Sequence, residues 1–403
     1  MRQQRSYPLI IIGGGPAGLG AAIAFGKDAL LLEQNPYAGK KLMISGLGQC
    51  NCTNVLPVKK FLETAGKQKS FLATAIYNFD NTQLISLLQN NGCPVYARED
   101  GKVFPVSMQS VDVRDTLVKI ALASGADIAY NQSVTSIEKQ NDAFKVKTDK
   151  QVFAAHKILI ATGGKSCPTT GSNGYGYELA KRLGHTIIPL KPALSAVKIR
   201  DFSAFAKCAG VTLNKAKISY VVNGKKKVFE GELLFTHQGL SGPVIINNSH
   251  TFEQGGVIRL HLAQQDEIRA TLLSKNNQQR MTYNTLKTLG IPESLAKTLL
   301  NRVNINIESK PSELNKVKRN ELITTVSAVP FTIESLDSFN KAMLTAGGVS
   351  LKEVASKTME SKIISGLYFS GEILDYVLPT GGFNIQAAFS TGYLAGQSAK
   401  KSV

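Results

Sequence analysis

Gly13-Gly14-Gly15-Pro16-Ala17-Gly18 follows the apolar run Leu9-Ile10-Ile11-Ile12. Twenty positions after Gly13, Glu33 closes a second apolar run, Ala29-Leu30-Leu31-Leu32. Glycines at this spacing do three things. Gly13 permits a tight turn, Gly15 lets a pyrophosphate approach the backbone, and Gly18 lets a helix pack on a strand. Free N–H groups at the start of that helix attract the anion. A carboxylate at Glu33 accepts the ribose hydroxyls and disfavours a 2′-phosphate. The pattern therefore predicts FAD or NAD rather than NADP.

Two further clusters fit the same ligand. Ala161-Thr162-Gly163-Gly164 follows the apolar run ending at Ile160. Backbone with few side chains can approach a cofactor there. Near the C-terminus, Leu367-Tyr368-Phe369-Ser370-Gly371-Glu372 puts an acid just past a strand, where it reaches a ribityl chain or pyrophosphate. Thr380-Gly381-Gly382-Phe383-Asn384-Ile385 then opens a helix with its N–H groups aimed outward. Under the pyrimidine edge of a flavin, such a helix start stabilises the negative charge that develops on reduction.

The elements that must hold these residues are strand, glycine turn, helix and strand at the N-terminus. A loop follows Glu33 to about Asn54. Helices are expected over Gln83–Asn90 and Val111–Ala123. Short strands are expected at 128–130, 134–138, 144–148, 151–154 and 156–160. From Leu190 strand patterns dominate to about Leu262, then polar helical patterns run from Asp266 to about Lys318. Glu321–Val329 reads as a strand and Pro330 as a boundary. The fold class is therefore α/β. A nucleotide-binding domain is expected from residues 1–190 plus 331–403, and an inserted β-rich domain over 191–330, with a helical subdomain at about 265–320.

The 403 residues suffice for two or three domains. The opening stretch Met1–Tyr7 is polar, and glycines interrupt the apolar run behind it. Neither a signal peptide nor a membrane span is expected, and a cytoplasmic location is. Five cysteines (Cys50, Cys52, Cys93, Cys167, Cys208) show no disulfide framework and no metal spacing, so no metal is expected. Net charge is +18, and residues 191–330 alone hold 20 Lys/Arg against 10 Asp/Glu. Such a surface attracts nucleic acid or anionic substrates. No basic run interleaved with aromatics accompanies it, and Lys225-Lys226-Lys227 reads as an exposed hairpin tip. A solvated surface is preferred to a nucleic-acid site.

Beyond these signals the chain resembles the FAD-dependent flavoproteins grouped with BaiN and YhiN, which include aminoacetone oxidase. The resemblance spans nearly the whole chain. It rests on Gly39-Lys40-Lys41-Leu42-Met43-Ile44-Ser45-Gly46 through Asn51-Cys52-Thr53-Asn54, on Gly101–Ser107, Ala161–Ser166 and Gly184-His185-Thr186, on Leu234–His237 with Ser241-Gly242-Pro243, and on Thr358–Lys362, Glu372 and Gly381–Asn384. It implies bound FAD in a Rossmann-like domain and an inserted β-rich domain carrying helices. It further implies adenosine-side contacts from Ala17, Glu33, Lys41 and Val134. Flavin-side contacts are implied from Gly46, Thr162, Gly163, Glu372, Asn384 and Ile385. Around them, Pro16, Gln34, Lys40, Ser45, Gln49, Cys50, Asn51, Gly164, Gly371, Gly382 and Phe383 complete the expected cofactor shell.

One departure stands out. The related pattern after Ser45 is three glycines and Arg-Cys-Asn, whereas here it is Gly46-Leu47-Gly48-Gln49-Cys50-Asn51. Gln49 replaces a cation. Cys50 and Cys52 suggest thiol chemistry, but one intervening residue makes a strained ring, and packing beside the cofactor is preferred. His237 is the candidate acid, base or substrate anchor. His185 reads as a helix C-terminal residue in contact with the helix dipole. Lys165, Cys167 and Tyr175 are candidates for the mouth of the site.

The expected function is hydride exchange between a small organic substrate and flavin N5. The leading version is an amine or amino-ketone oxidase using oxygen. The alternative is an NAD(P)H-dependent reductase of enone-type substrates. A flavin-containing nucleic-acid binder or redox sensor is the competing class.

Overall fold

The computed structural model describes residues 6–401, so Met1–Arg5 of the polar opening lie outside the described residues. The chain forms two compact units, Met1–Ala193 with Phe339–Val403, and Leu194–Ser338.

The first unit is built on Ser6–Ile12. This strand pairs in parallel with Ala29–Leu32 on one side and Val152–Ile160 on the other. Asp127–Ala129 extends the sheet beyond Ala29–Leu32, and Leu367–Phe369 pairs in parallel with Val152–Ile160. Leu9, Ile10, Ile11, Leu31, Ile158, Leu159 and Phe369 are fully buried. Burial on both faces explains why these strands read as unbroken apolar runs.

Residues 151–154 and 156–160, expected as two strands, form one. The first half of Val152–Ile160 pairs antiparallel with Ala143–Thr148, and its second half pairs in parallel with Leu367–Phe369. The strand thus changes partners without breaking at His156.

The helix Pro16–Phe25 packs along the helix Phe383–Lys401. Small residues set the distance between them. A Cβ on Gly392 would collide with the carbonyl of Ala17, so the axes approach closely only because that atom is missing. Helices at Asn81–Asn90 and Ser110–Ala123 flank the sheet's connections. Asp80 caps the first, accepting from the Gln83 N–H while the Gln83 side chain accepts from the Asp80 N–H. A small antiparallel sheet joins Thr53–Asn54, Lys102–Pro105 and Val95–Ala97.

The second unit is a closed six-stranded barrel. Its order is Val197–Ile199, Gly239–Ser241, Lys225–Phe235, Thr212–Val222, Val257–His261 and Val329–Leu336. Phe202, Phe205, Phe235 and Phe331 cluster in its core. Helices Gln265–Leu273, Thr282–Lys287, Glu293–Arg302 and Lys316–Ser327 lie between its last two strands in sequence.

Two expectations are corrected here. Glu321–Val329 is not a strand: the helix Lys316–Ser327 occupies it, and the Asn315 side chain caps that helix by accepting from the Lys318 N–H. The β-branched run Ile323-Thr324-Thr325-Val326 has strand propensity, but burial of Leu322, Ile323 and Val326 on one helical face overrides it. Pro330 is also not the boundary. It stands second in Val329–Leu336, which carries the barrel ladder onward, so the unit ends at Ser338 and not at 330. Among the described residues no helix is long and apolar enough to cross a membrane.

Candidate functional site

Register brings the three sequence clusters to one sheet edge. Ile12 is level with Leu32 and Ile160, and Phe369 is also level with Ile160. Gly13, Glu33, Ala161 and Ser370 therefore leave the sheet side by side. In open α/β sheets this carboxyl edge is where ligands bind.

At the first turn, Gly18 must lack a side chain because the Gly13 carbonyl fills the place of its Cβ. Gly15 faces open space and has no side-chain cap, and Pro16 opens the helix. Buried Glu33 braces this turn. One carboxylate oxygen accepts the Gly14 N–H at 2.7 Å, and the other accepts the Asn35 backbone and side-chain N–H groups at 2.8 and 2.7 Å. Gln34 donates to the Gly171 carbonyl, tying this edge to the loop after the second cluster. Val134 is buried at the start of Val134–Gln140. Lys40 and Lys41 open the short helix Lys40–Met43.

Lys41 belongs to a polar hub. Its Nζ lies 2.6 Å from Glu372 Oε2 and 2.6 Å from Ser166 Oγ. The other Glu372 oxygen accepts from Ser166 Oγ and the Thr345 N–H, both at 2.9 Å. Thr345 Oγ1 in turn accepts from the N–H groups of Lys165 and Ser166. Gly164 has no room for a Cβ between Glu372 and Thr345. The resemblance groups Lys41 with adenosine contacts; the structure sets it against Glu372, among the flavin-side ones. Ser166 and Thr345 carry the hub unanticipated as site residues. Ser166 ends the glycine-containing stretch Ala161–Ser166, whereas Thr345 has no local signal.

Facing the start of Phe383–Lys401 is the loop Ser45–Asn51. Ser45 donates to the Leu42 carbonyl. Gly46, Leu47, Gly48 and Cys50 all adopt positive φ. With its oxygen toward Gly382, the Asn51 carboxamide accepts the Gly382 N–H at 3.0 Å and donates to the Thr53 carbonyl at 2.9 Å. Thr53 donates to buried Gln386, a second unanticipated pair.

Several residues of the expected shell also make contacts within the protein. Asn384 uses its carboxamide on Leu378 and Pro379. Phe383 is buried edge-on against Phe61 at 4.9 Å. Ile385 is half-buried. Gly371 donates to Thr391 Oγ1. Cys50 and Cys52 are buried free thiols. Burial pushes the Cys50 thiol up to about 12 and the Cys52 thiol well above its ordinary value. Neither is a thiolate near neutral pH, which removes the nucleophile a thiol switch needs.

His237 is exposed on the turn between Lys225–Phe235 and Gly239–Ser241, in the barrel unit. His185 stands just past the helix Tyr175–Arg182, its backbone N–H donating to the Ala180 carbonyl. It is buried, bonds Ser361 Oγ at 2.8 Å, and sits edge-on to Phe369. Burial lowers its pKa and keeps it neutral. Lys165 and Tyr175 line a cleft of about 560 Å³ with Tyr177 and Lys181. Cys167 is not among its lining residues.

The edge fits a dinucleotide. Gly15 leaves open space at a helix start, and the hydroxyls of Thr162, Ser172 and Ser370 are buried without a hydrogen-bond partner. Buried hydroxyls rarely stay unpaired, so a polar ligand at this edge would satisfy them.

The HI0933-like protein Rossmann domain matches residues 7–398. The chain is 31% identical to a 3-dehydro-bile acid delta(4,6)-reductase of Clostridium scindens, covering 96% of this chain and 98% of that one. It is 28% identical to a ribosomal RNA dihydrouridine synthase of Haemophilus influenzae, covering 95% and 96%. A flavocytochrome c3 fumarate reductase in its open conformation shares the fold at a TM-score of 0.53 and 17% identity, covering 98% of this chain and 78% of that one.

Proposed function

This chain belongs to the HI0933-like Rossmann-domain family, and from that premise we propose that it reduces a carbon–carbon double bond conjugated to a carbonyl. It is an FAD-dependent oxidoreductase. The observation that carries the finer reading is what two relatives' names have in common. A delta(4,6)-reductase of a 3-dehydro steroid acid and a dihydrouridine synthase both add two hydrogens across a ring double bond conjugated to a carbonyl.

Bound FAD supplies the hydride once it has been reduced. The protein's task is to hold it and to order the substrate. The first-turn N–H groups of Ala17 and Gly18 would face the pyrophosphate, with Glu33 fixing the turn. Lys41 and Glu372 would flank the ribityl chain, and the orphan hydroxyls of Thr162 and Ser370 would bond the cofactor. The N–H groups at the start of Phe383–Lys401 would stabilise charge on the pyrimidine edge.

A second reading, reduction of a uracil ring within RNA, is favoured by the net charge of +18 and by exposed Lys225, Lys226 and Lys227 on the barrel hairpin. One anaerobic experiment separates the readings. The holoprotein is mixed with NADH or NADPH and then with a 4,6-dien-3-one steroid or unmodified ribosomal RNA. Loss of the dienone absorbance supports the first substrate. A gain of two mass units on a uridine supports the second. The amine or amino-ketone oxidase expected from sequence predicts the opposite flow: amine-dependent hydrogen peroxide in air and no reduction of either acceptor. That result would sink the reductase reading.

A further inference from the structure

Arg98 stands immediately after the strand Val95–Ala97, in the turn leading to Lys102–Pro105. Its Nη2 donates to Gln49 Oε1 at 3.1 Å, and its guanidinium carbon lies 3.9 Å from the centre of the Phe104 ring. That ring edge is in turn 3.3 Å from where a Cβ of Gly46 would stand. The guanidinium is thus held from two sides over the loop Ser45–Asn51, the loop that grips Gly382 through Asn51. Among the described residues no carboxylate forms an ion pair with Arg98. Asp100, the nearby acid, pairs with Lys102 at 2.7 Å. The arrangement leaves an exposed cation held beside the Gln49 carboxamide.

We propose that Arg98, held by Gln49 and Phe104, is the substrate-binding cation of this site and bonds the carbonyl oxygen of the conjugated substrate. This inference rests on the reductase reading. Hydride added to the β-carbon drives the π-electrons onto the carbonyl oxygen as an enolate, and a proton from water then goes to the α-carbon. NAD(P)H is the reductant that restores the cofactor. The part of Arg98 is to stabilise the oxyanion with a charge-assisted hydrogen bond, which strengthens as the negative charge forms. A guanidinium already parked on an aromatic face loses little freedom in doing so.

The test uses 4-nitrophenol, whose phenolate is a planar, coloured oxyanion resembling the enolate. The wild-type holoprotein should bind the phenolate in preference to the phenol, lowering the probe's apparent pKa. Arg98→Ala should weaken phenolate binding about tenfold or more and abolish the pKa shift, with FAD content unchanged. Arg98→Lys should recover part of the binding. Gln49→Arg combined with Arg98→Ala should restore it, because the cation then stands on the loop itself. Phenolate binding or a pKa shift insensitive to Arg98→Ala, or no phenolate binding by the wild type, overturns the proposal. Enone reduction by the wild type is assayed alongside. If the wild type reduces enones and Arg98→Ala binds phenolate normally, the assignment of Arg98 fails alone. If phenolate binding depends on Arg98 but neither dienone nor uracil is reduced, the reductase reading fails and the oxyanion site stands.

Discussion

Lys41 and Glu372, 331 residues apart in sequence, meet at 2.6 Å at the carboxyl edge of the parallel sheet. Their side chains are 26% and 13% exposed, so the pair is only partly screened by water. Glu372 also accepts from Ser166 and Thr345, and four segments of chain converge on one carboxylate.

Glu372→Ala leaves the Lys41 ammonium and the Thr345 N–H without their acceptor. We expect a loss of about 2–4 kcal/mol in denaturant unfolding, somewhat below the roughly 3–5 kcal/mol for breaking a fully buried pair because this one is partly exposed, together with release of FAD on gel filtration. Glu372→Gln should lose less, because it keeps an acceptor for Thr345. Wild-type stability in Glu372→Ala would show that the hub does not hold the edge.

Glu33→Ala should weaken FAD retention by about 1.5–3 kcal/mol, the scale of hydrogen bonds to a charged group. It removes the brace on Gly14 together with the carboxylate expected to accept the ribose hydroxyls. Flavin absorbance remaining after dialysis is the measure. Full retention would count against this edge as the cofactor site.

Cys50 and Cys52 should resist iodoacetamide at pH 8 in the native protein and react on unfolding, because a buried neutral thiol is a poor nucleophile. Between about pH 9 and 12 the unfolded chain ionises Cys50 while the folded one does not. Stability should therefore fall there by about 1.4 kcal/mol per pH unit for that thiol. Rapid native alkylation of Cys50, read by mass spectrometry, would revive the redox reading.

His185 acts on the acid side. Burial depresses its pKa below the ordinary 6.5, so the unfolded chain takes up a proton there more readily than the folded one. The stability it contributes is present above about pH 6.5 and is lost as pH falls, at up to about 1.4 kcal/mol per unit. His185→Gln should flatten the decline between pH 7 and 5 in thermal melts. An unchanged slope would place the acid sensitivity elsewhere.

What the sequence revealed follows from range. Gly13, Gly15, Gly18 and Glu33 are legible because turn, helix start and acid lie within one strand–helix–strand unit, and local spacing states their chemistry. The hub is illegible for the opposite reason: Thr345 lies in a separate strand pair, Ile187–Ala193 with Leu344–Val349, and meets Glu372 only in the folded chain. Arg98 has no motif of its own, and only the pairing of Val95–Ala97 with Lys102–Pro105 directs it back to Gln49. Phe383 and Asn384 stand in a stretch that reads as cofactor-binding, yet the first packs on Phe61 and the second fastens Leu378. The helix Lys316–Ser327 misleads because β-branched residues favour strands until a buried face and an Asn cap outweigh them.

The interleaving of the two units also sets an order of birth. Leu194–Ser338 is one uninterrupted stretch and emerges from the ribosome before Leu367–Phe369 does. The nucleotide-binding sheet must wait: Leu367–Phe369 and the helix that nests against Ala17 emerge only after that stretch. During that interval the helix Pro16–Phe25 lacks the partner that later covers it and carries an exposed greasy surface, a natural client for a chaperone at the tunnel mouth.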